Sequence, residues 1–72
     1  MNTLTLKDKD GTTTFYPNKT WVTDFTNSPS IHGKVKIENG AVFESCDEVS
    51  NVFVPINGKD AEIILAFYQA MP

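Results

Sequence analysis

Asparagine followed by glycine, at positions 39 and 40, constrains this chain more than any other pair of residues. Both tolerate positive φ, the backbone that a tight hairpin turn demands. The flanking runs, Lys34-Val35-Lys36-Ile37 and Ala41-Val42-Phe43-Glu44-Ser45, favour strands. The chain is therefore expected to be sheet-based, and hydrophobic pattern selects the register. A two-residue loop pairs Ile37 with Val42 but sets Val35 opposite Glu44 and Lys36 opposite Phe43, mixing apolar and charged residues on both faces. A three-residue loop (Glu38, Asn39, Gly40) pairs Ile37 with Ala41 and Val35 with Phe43, and leaves Lys36 opposite Val42 and Lys34 opposite Glu44. A one-residue slip exchanges the faces of a strand, so gathering the apolar residues on one side predicts the three-residue loop.

Turn chemistry and alternation divide the rest of the chain. Leu4 and Leu6 alternate with polar residues as in a half-buried strand, Asp8-Lys9-Asp10-Gly11 is a turn, and Thr12 to Tyr16 is the returning strand. A two-residue Asp10-Gly11 turn sets Phe15 opposite Leu6. Pro17-Asn18 ends that strand, because proline has no N–H for a ladder. From Lys19 to Thr26, Trp21 and Phe25 have helical spacing, yet Trp21, Thr23 and Phe25 also alternate. The β-branched and aromatic content decides for a strand.

Asn27-Ser28-Pro29-Ser30 is a loop, and Cys46 to Ser50 is a polar connection. Asn51 to Ile56 reads as a strand with Val52, Val54 and Ile56 on one face, and Pro55 means that the strand ends there or lies at a sheet edge. The chain closes with a helix over about 58–70. Asn57 is its N-cap, and Asp60 and Glu62 lie near the positive end of its dipole. Two apolar stripes adjoin on this helix, Ile63, Phe67, Ala70 and Met71 beside Ala61, Ile64, Leu65 and Tyr68. Such a helix is expected to pack on a sheet and to be covered elsewhere as well. The expected fold is α+β, one domain over 1–72. Its antiparallel sheet of about four to six strands packs against one C-terminal helix.

At 72 residues a single core is marginal, so self-association is a live expectation. Cys46 and His32 are the single cysteine and histidine, too few for an internal disulfide or a closed zinc site, and no metal or cofactor is expected. All six basic residues are lysine and the net charge is −3. Without arginine forks for phosphates and guanine edges, a dedicated nucleic-acid binder is disfavoured. Met1 to Asp8 lacks the basic and apolar regions of a signal peptide, and no apolar run reaches membrane-spanning length. The cytoplasm is the expected compartment. The lysine and asparagine bias fits an AT-rich genome such as that of a phage or mobile element.

Several residues suggest chemistry. Asp8-x-Asp10-Gly11 resembles the start of a calcium loop but lacks its remaining ligands, and a turn explains it better. Cys46 with His32 as base would need mutual contact and a third, orienting group, and Asp47 and Glu48 disfavour a thiolate. No triad order, phosphate loop or paired-histidine motif is present, so catalysis is not expected. Asn18-Lys19-Thr20 fits a glycosylation acceptor only by chance in this compartment.

Tyr16, Trp21 and Phe25 beside Lys19 could stack single-stranded bases, although a core role suits these rings better. The charge distribution is one-sided. Asp8, Asp10 and Asp24 balance Lys7, Lys9 and Lys19, whereas Glu38, Glu44, Asp47, Glu48, Asp60 and Glu62 outnumber Lys34, Lys36 and Lys59. The leading expectation is a non-catalytic protein-binding module, a small acidic inhibitor or accessory factor for a basic partner. Its candidate contacts are Glu44, Asp47, Glu48, Asp60 and Glu62. The alternatives are a single-stranded nucleic-acid module using Trp21 and nearby lysines, and a self-assembling structural protein.

Overall fold

A computed structural model describes residues 2–49 and 51–71. Six strands, β1 (Leu4–Lys7), β2 (Gly11–Phe15), β3 (Thr20–Phe25), β4 (Ile31–Glu38), β5 (Ala41–Cys46) and β6 (Val54–Pro55), form one antiparallel meander in chain order. A 3-10 turn at Asp47–Val49 follows β5, and the helix α1 (Gly58–Gln69) ends the chain. The α+β class and the single C-terminal helix agree with the sequence reading. So does the strand assignment of Thr20–Phe25, where β-branched and aromatic residues outweigh the helical spacing of two rings.

The register of the central hairpin overturns the three-residue loop. Ile37 lies opposite Val42, Val35 opposite Glu44 and Lys36 opposite Phe43. Asn39 (φ 53°) and Gly40 (φ 78°) both adopt positive φ, forming a two-residue turn whose twist matches that of the strands. The pattern argument failed because the outer face accommodates an aromatic ring. There the Lys36 ammonium sits 5.6 Å from the Phe43 ring centroid and 4.9 Å from that of Phe53, two cation–π contacts that cover apolar surface.

The first hairpin also differs from its expected register. Leu4, not Leu6, faces Phe15. Asp8 Oδ1 accepts from the N–H groups of Asp10 (2.8 Å) and Gly11 (3.1 Å), so the side chain closes a wider loop and Gly11 joins the strand. The last strand shrinks from the expected Asn51 to Ile56 to Val54–Pro55, with Val52 and Val54 largely exposed. Proline at an edge limits the ladder. Ser50, the end of the connection read as polar, lies outside the described residues. Asn57 is the N-cap, yet its side chain makes no capping hydrogen bond.

One face of the sheet carries the core. Phe15, Trp21, Val35 and Val42 are buried there against Ile64 and Tyr68 of α1, with Leu4, Leu6, Ile31, Ile37 and Ile56 packed around them. The helix buries the stripe through Ala61, Ile64, Leu65 and Tyr68, together with Phe67, and leaves Ile63 exposed. The Tyr68 hydroxyl donates to the Tyr16 carbonyl at 2.7 Å, tying the helix end to the corner between β2 and β3. Burial pushes that phenol's pKa up to about 12, so it keeps its proton and its donor role across the physiological range.

Gly33 permits the closest approach in the sheet. A Cβ there would overlap the Ser45 carbonyl oxygen and lie 2.8 Å from Trp21 Cζ2. Trp21 instead covers the bare backbone and donates its indole N–H to the Lys34 carbonyl at 3.2 Å. At Gly40 a Cβ would meet nothing within 4 Å, so only its positive φ matters. Gly40→Ala should therefore cost about 1 kcal/mol, and Gly33→Ala about 2–3 kcal/mol or more. Urea denaturation of both variants checks the order. Equal losses would show that Trp21 can shift at no cost.

Candidate functional site

The sheet does not close, and between its inner face and the start of α1 lies a cavity of about 300 Å³. Its apolar wall comes from Leu6, Phe15, Trp21, Ile31, Ile56 and Ile64, so every strand or its flank, and the helix, contributes to the enclosure. This volume sits at the lower end of the range for small-ligand or single-side-chain pockets. Two sets of polar groups interrupt the apolar lining.

The first set is a hydroxyl pair. Thr13 and Thr23 face each other across β2 and β3, with their Oγ1 atoms 2.6 Å apart. One hydroxyl proton is used between them and the other remains free to donate. The second set is charged. Glu44 points inward because the two-residue turn puts it on the same face as Val35 and Val42. Asp60, from the first turn of α1, lines the same space, and Lys7 and Asp8 border it at the end of β1.

Glu44 is half-buried, and loss of hydration raises its pKa above the ordinary carboxylate value. It makes no ion pair or side-chain hydrogen bond among the described residues. Three carboxylates around the cavity face one lysine, so the space suits a cation carried on an apolar stem.

The other candidate residues separate from this site. Asp47 Oδ2 lies 2.5 Å from His32 Nδ1 in an exposed pair, and Glu48 follows it in the same exposed 3-10 turn. Glu62 borders a different groove, of about 210 Å³, beside Gly40, Ala61 and Leu65. Of the five acids singled out in the sequence, Glu44 and Asp60 alone share the cavity.

Cys46 and His32 occupy opposite faces of the sheet, Cys46 across from Gly33 on the inner face and His32 across from Val22 on the outer one. His32 is therefore not presented to the thiol. Asp8 spends a carboxylate oxygen on its own turn, in keeping with the turn reading. Trp21 is 4% exposed and belongs to the core, the role that suits this ring better than stacking on a base. Sequence reasoning missed Thr13 and Thr23. Alternation back from buried Phe15 and forward from buried Trp21 would have placed both hydroxyls inward.

Among the described residues no group of three histidine, cysteine, aspartate or glutamate side chains is arranged to hold a metal ion. None of the helices is long and apolar enough to cross a membrane. Comparison of the chain with protein-family models, curated proteins and solved structures finds no match.

The half-buried carboxylate makes a testable demand on stability. Because folding raises the pKa of Glu44, the folded state favours its neutral form. The stabilising contribution is complete below the unfolded value near 4.5 and is lost as pH rises through the folded pKa. Glu44→Gln should therefore raise Tm at neutral pH, with the gain over the parent shrinking as the solution is acidified. A calorimetric pH series checks this. A variant no more stable than the parent at neutral pH would mean that Glu44 is well solvated or paired.

Proposed function

We propose that this chain is a non-catalytic binding module, a small acidic inhibitor or accessory factor that engages a basic protein partner inside the cell. The observation that carries this reading is the open cavity lined by Glu44 and Asp60 above an apolar floor, neither carboxylate forming an ion pair among the described residues. A free carboxylate half-removed from water weakens the fold it sits in, and a partner's cation would compensate it. Exposed Asp47, Glu48 and Glu62 extend the negative field beyond the cavity, speeding encounter with a positively charged surface. The combination of apolar contact and charge suits lysine and arginine side chains, whose stems are apolar and whose heads are cationic.

A second reading, self-assembly, draws on a different feature. Val49, Val52 and Val54 are all largely exposed near the β6 edge. Apolar side chains this close together mark a contact surface for another copy or for the same partner. Light scattering that gives a dimer mass, lost in Val52→Asp, would favour the second copy.

Affinity capture by the tagged chain from nuclease-treated host cells tests the main reading. The expected result is a basic protein released by rising salt and retained about tenfold less by Glu44→Gln/Asp60→Asn. Reversing Asp47 and Glu48 to lysine should slow association more than it speeds release. Capture that disappears with nuclease, or that ignores both salt and these substitutions, would defeat the proposal.

A further inference from the structure

The two edges of the sheet are not equivalent, and the hydrogen-bond pattern shows why. In an antiparallel ladder, alternate residues of a strand direct N–H and C=O to one neighbour and the intervening residues direct theirs to the other. The Asp8 N–H donates to Gly11 O, so by alternation Leu6 with Thr13 and Leu4 with Phe15 are the hydrogen-bonded pairs of the first hairpin. The next strand pair agrees, because the Tyr16 N–H donates to Thr20 O, which leaves Phe15 and Thr13 turned toward β1. The backbone groups of Thr5 and Lys7 therefore point away from the sheet, with no partner among the described residues.

At the opposite edge, the Ile56 N–H donates to Val42 O, so Val54 and Ile56 face β5 and Pro55 faces outward. Proline has no N–H to offer there. The β6 edge is blocked and the β1 edge is open.

The open edge also borders the cavity, through Leu6, Lys7 and Asp8. A strand laid against β1 would use the outward groups of Thr5 and Lys7. Its residue across from Leu6 would turn toward the cavity, because directly paired side chains share a face. From that position an apolar stem lies over Leu6, and a terminal cation enters the space lined by Glu44, Asp60 and the Thr13–Thr23 hydroxyls.

Resting on the binding-module reading above, we infer that the partner docks an extended segment as an added strand on β1, with a lysine or arginine of that segment seated beside Glu44 and Asp60. Charge selects this occupant over a second copy of the chain. The inward residues of a second β1 are Leu4 and Leu6, which bring no cation to the carboxylates. Main-chain hydrogen bonds supply affinity in this mode, and the pocket supplies specificity.

The test is selection of random dodecapeptides displayed on phage against the full chain. The expected outcome is enrichment of sequences with one lysine or arginine between strand-favouring residues at alternate positions. A synthetic peptide of that sequence should lose about tenfold or more in affinity with Glu44→Gln, and a similar amount when its cation is replaced by norleucine. Thr5→Pro should abolish binding while leaving Tm near the parent value, since it removes an outward donor and no ladder bond.

If Thr5→Pro does not fold, hydrogen exchange on the unaltered chain decides. The Thr5 and Lys7 amides should slow on adding the peptide, and unchanged exchange would overturn the inference. Selected basic peptides that Glu44→Gln weakens but Thr5→Pro does not would overturn this docking mode and leave the binding-module reading standing, whereas peptides that ignore both substitutions would overturn both. Absence of basic sequences would remove both. Butylammonium shifting the cavity resonances equally in parent and Thr5→Pro, with no peptide selected, would assign the cavity to a free amine instead. A dimer in sedimentation equilibrium that Thr5→Pro dissolves would assign the edge to a second copy.

Discussion

The turn at Asn39–Gly40 sets the alternation on which the rest of the molecule depends. Positive φ at both residues closes the hairpin with Glu38 opposite Ala41, and every pair in β4 and β5 follows from that contact. Since the six strands form one uninterrupted meander, the choice passes from strand to strand. It decides that Val35, Val42 and Glu44 face inward while Lys36 and Phe43 face out. It also decides which backbone groups point away at the two edges. A slip of one residue would send Glu44 to solvent and Phe43 to the core, leaving a larger apolar interior and no charged cavity.

Packing then converts that alternation into a half-enclosed shape. Gly33 lets the Ser45 backbone and the Trp21 ring approach where a side chain would hold them apart, and Trp21 is anchored through its N–H on the Lys34 carbonyl. The helix covers part of the inner face with Ile64 and Tyr68 and is tied at its far end by the Tyr68–Tyr16 hydrogen bond. A chain of this length has too few large side chains to fill the space near the start of the helix. What remains is bounded by Thr13, Thr23, Glu44 and Asp60. The polar groups sit where the core runs out.

The residues whose placement defies simple pattern reading are the informative ones. Glu44 opposite Val35 looks like an error on an apolar face, and that apparent error argued for the wrong register. Local rules tend to be broken where a protein binds or reacts, so the conflict makes Glu44 a candidate site residue. Lys36 opposite Phe43 looked like a second error, yet the lysine covers two rings through cation–π contact. The aspartates of the first turn show the opposite case. Asp8 resembles a calcium-loop ligand but is better explained by a turn, and it is used within its own loop, where a side chain takes the place of a backbone acceptor.

By itself, the sequence determined the α+β class and most elements of the fold. Alternation placed the strands, β-branched and aromatic residues settled the segment around Trp21, and apolar stripes behind Asn57 set the helix. Pro55 announced a strand end or an edge, because a missing N–H is a property of the residue alone. Only the tertiary structure decided the two hairpin registers, the inward turn of Glu44 and its meeting with Asp60. It alone also separated Asp47, Glu48 and Glu62 from that site. Those outcomes depend on competition between distant groups for burial, on a lysine able to shield aromatic rings and on a glycine that admits close approach. Local sequence encodes preference for a conformation, but desolvation of a carboxylate is set by everything folded around it.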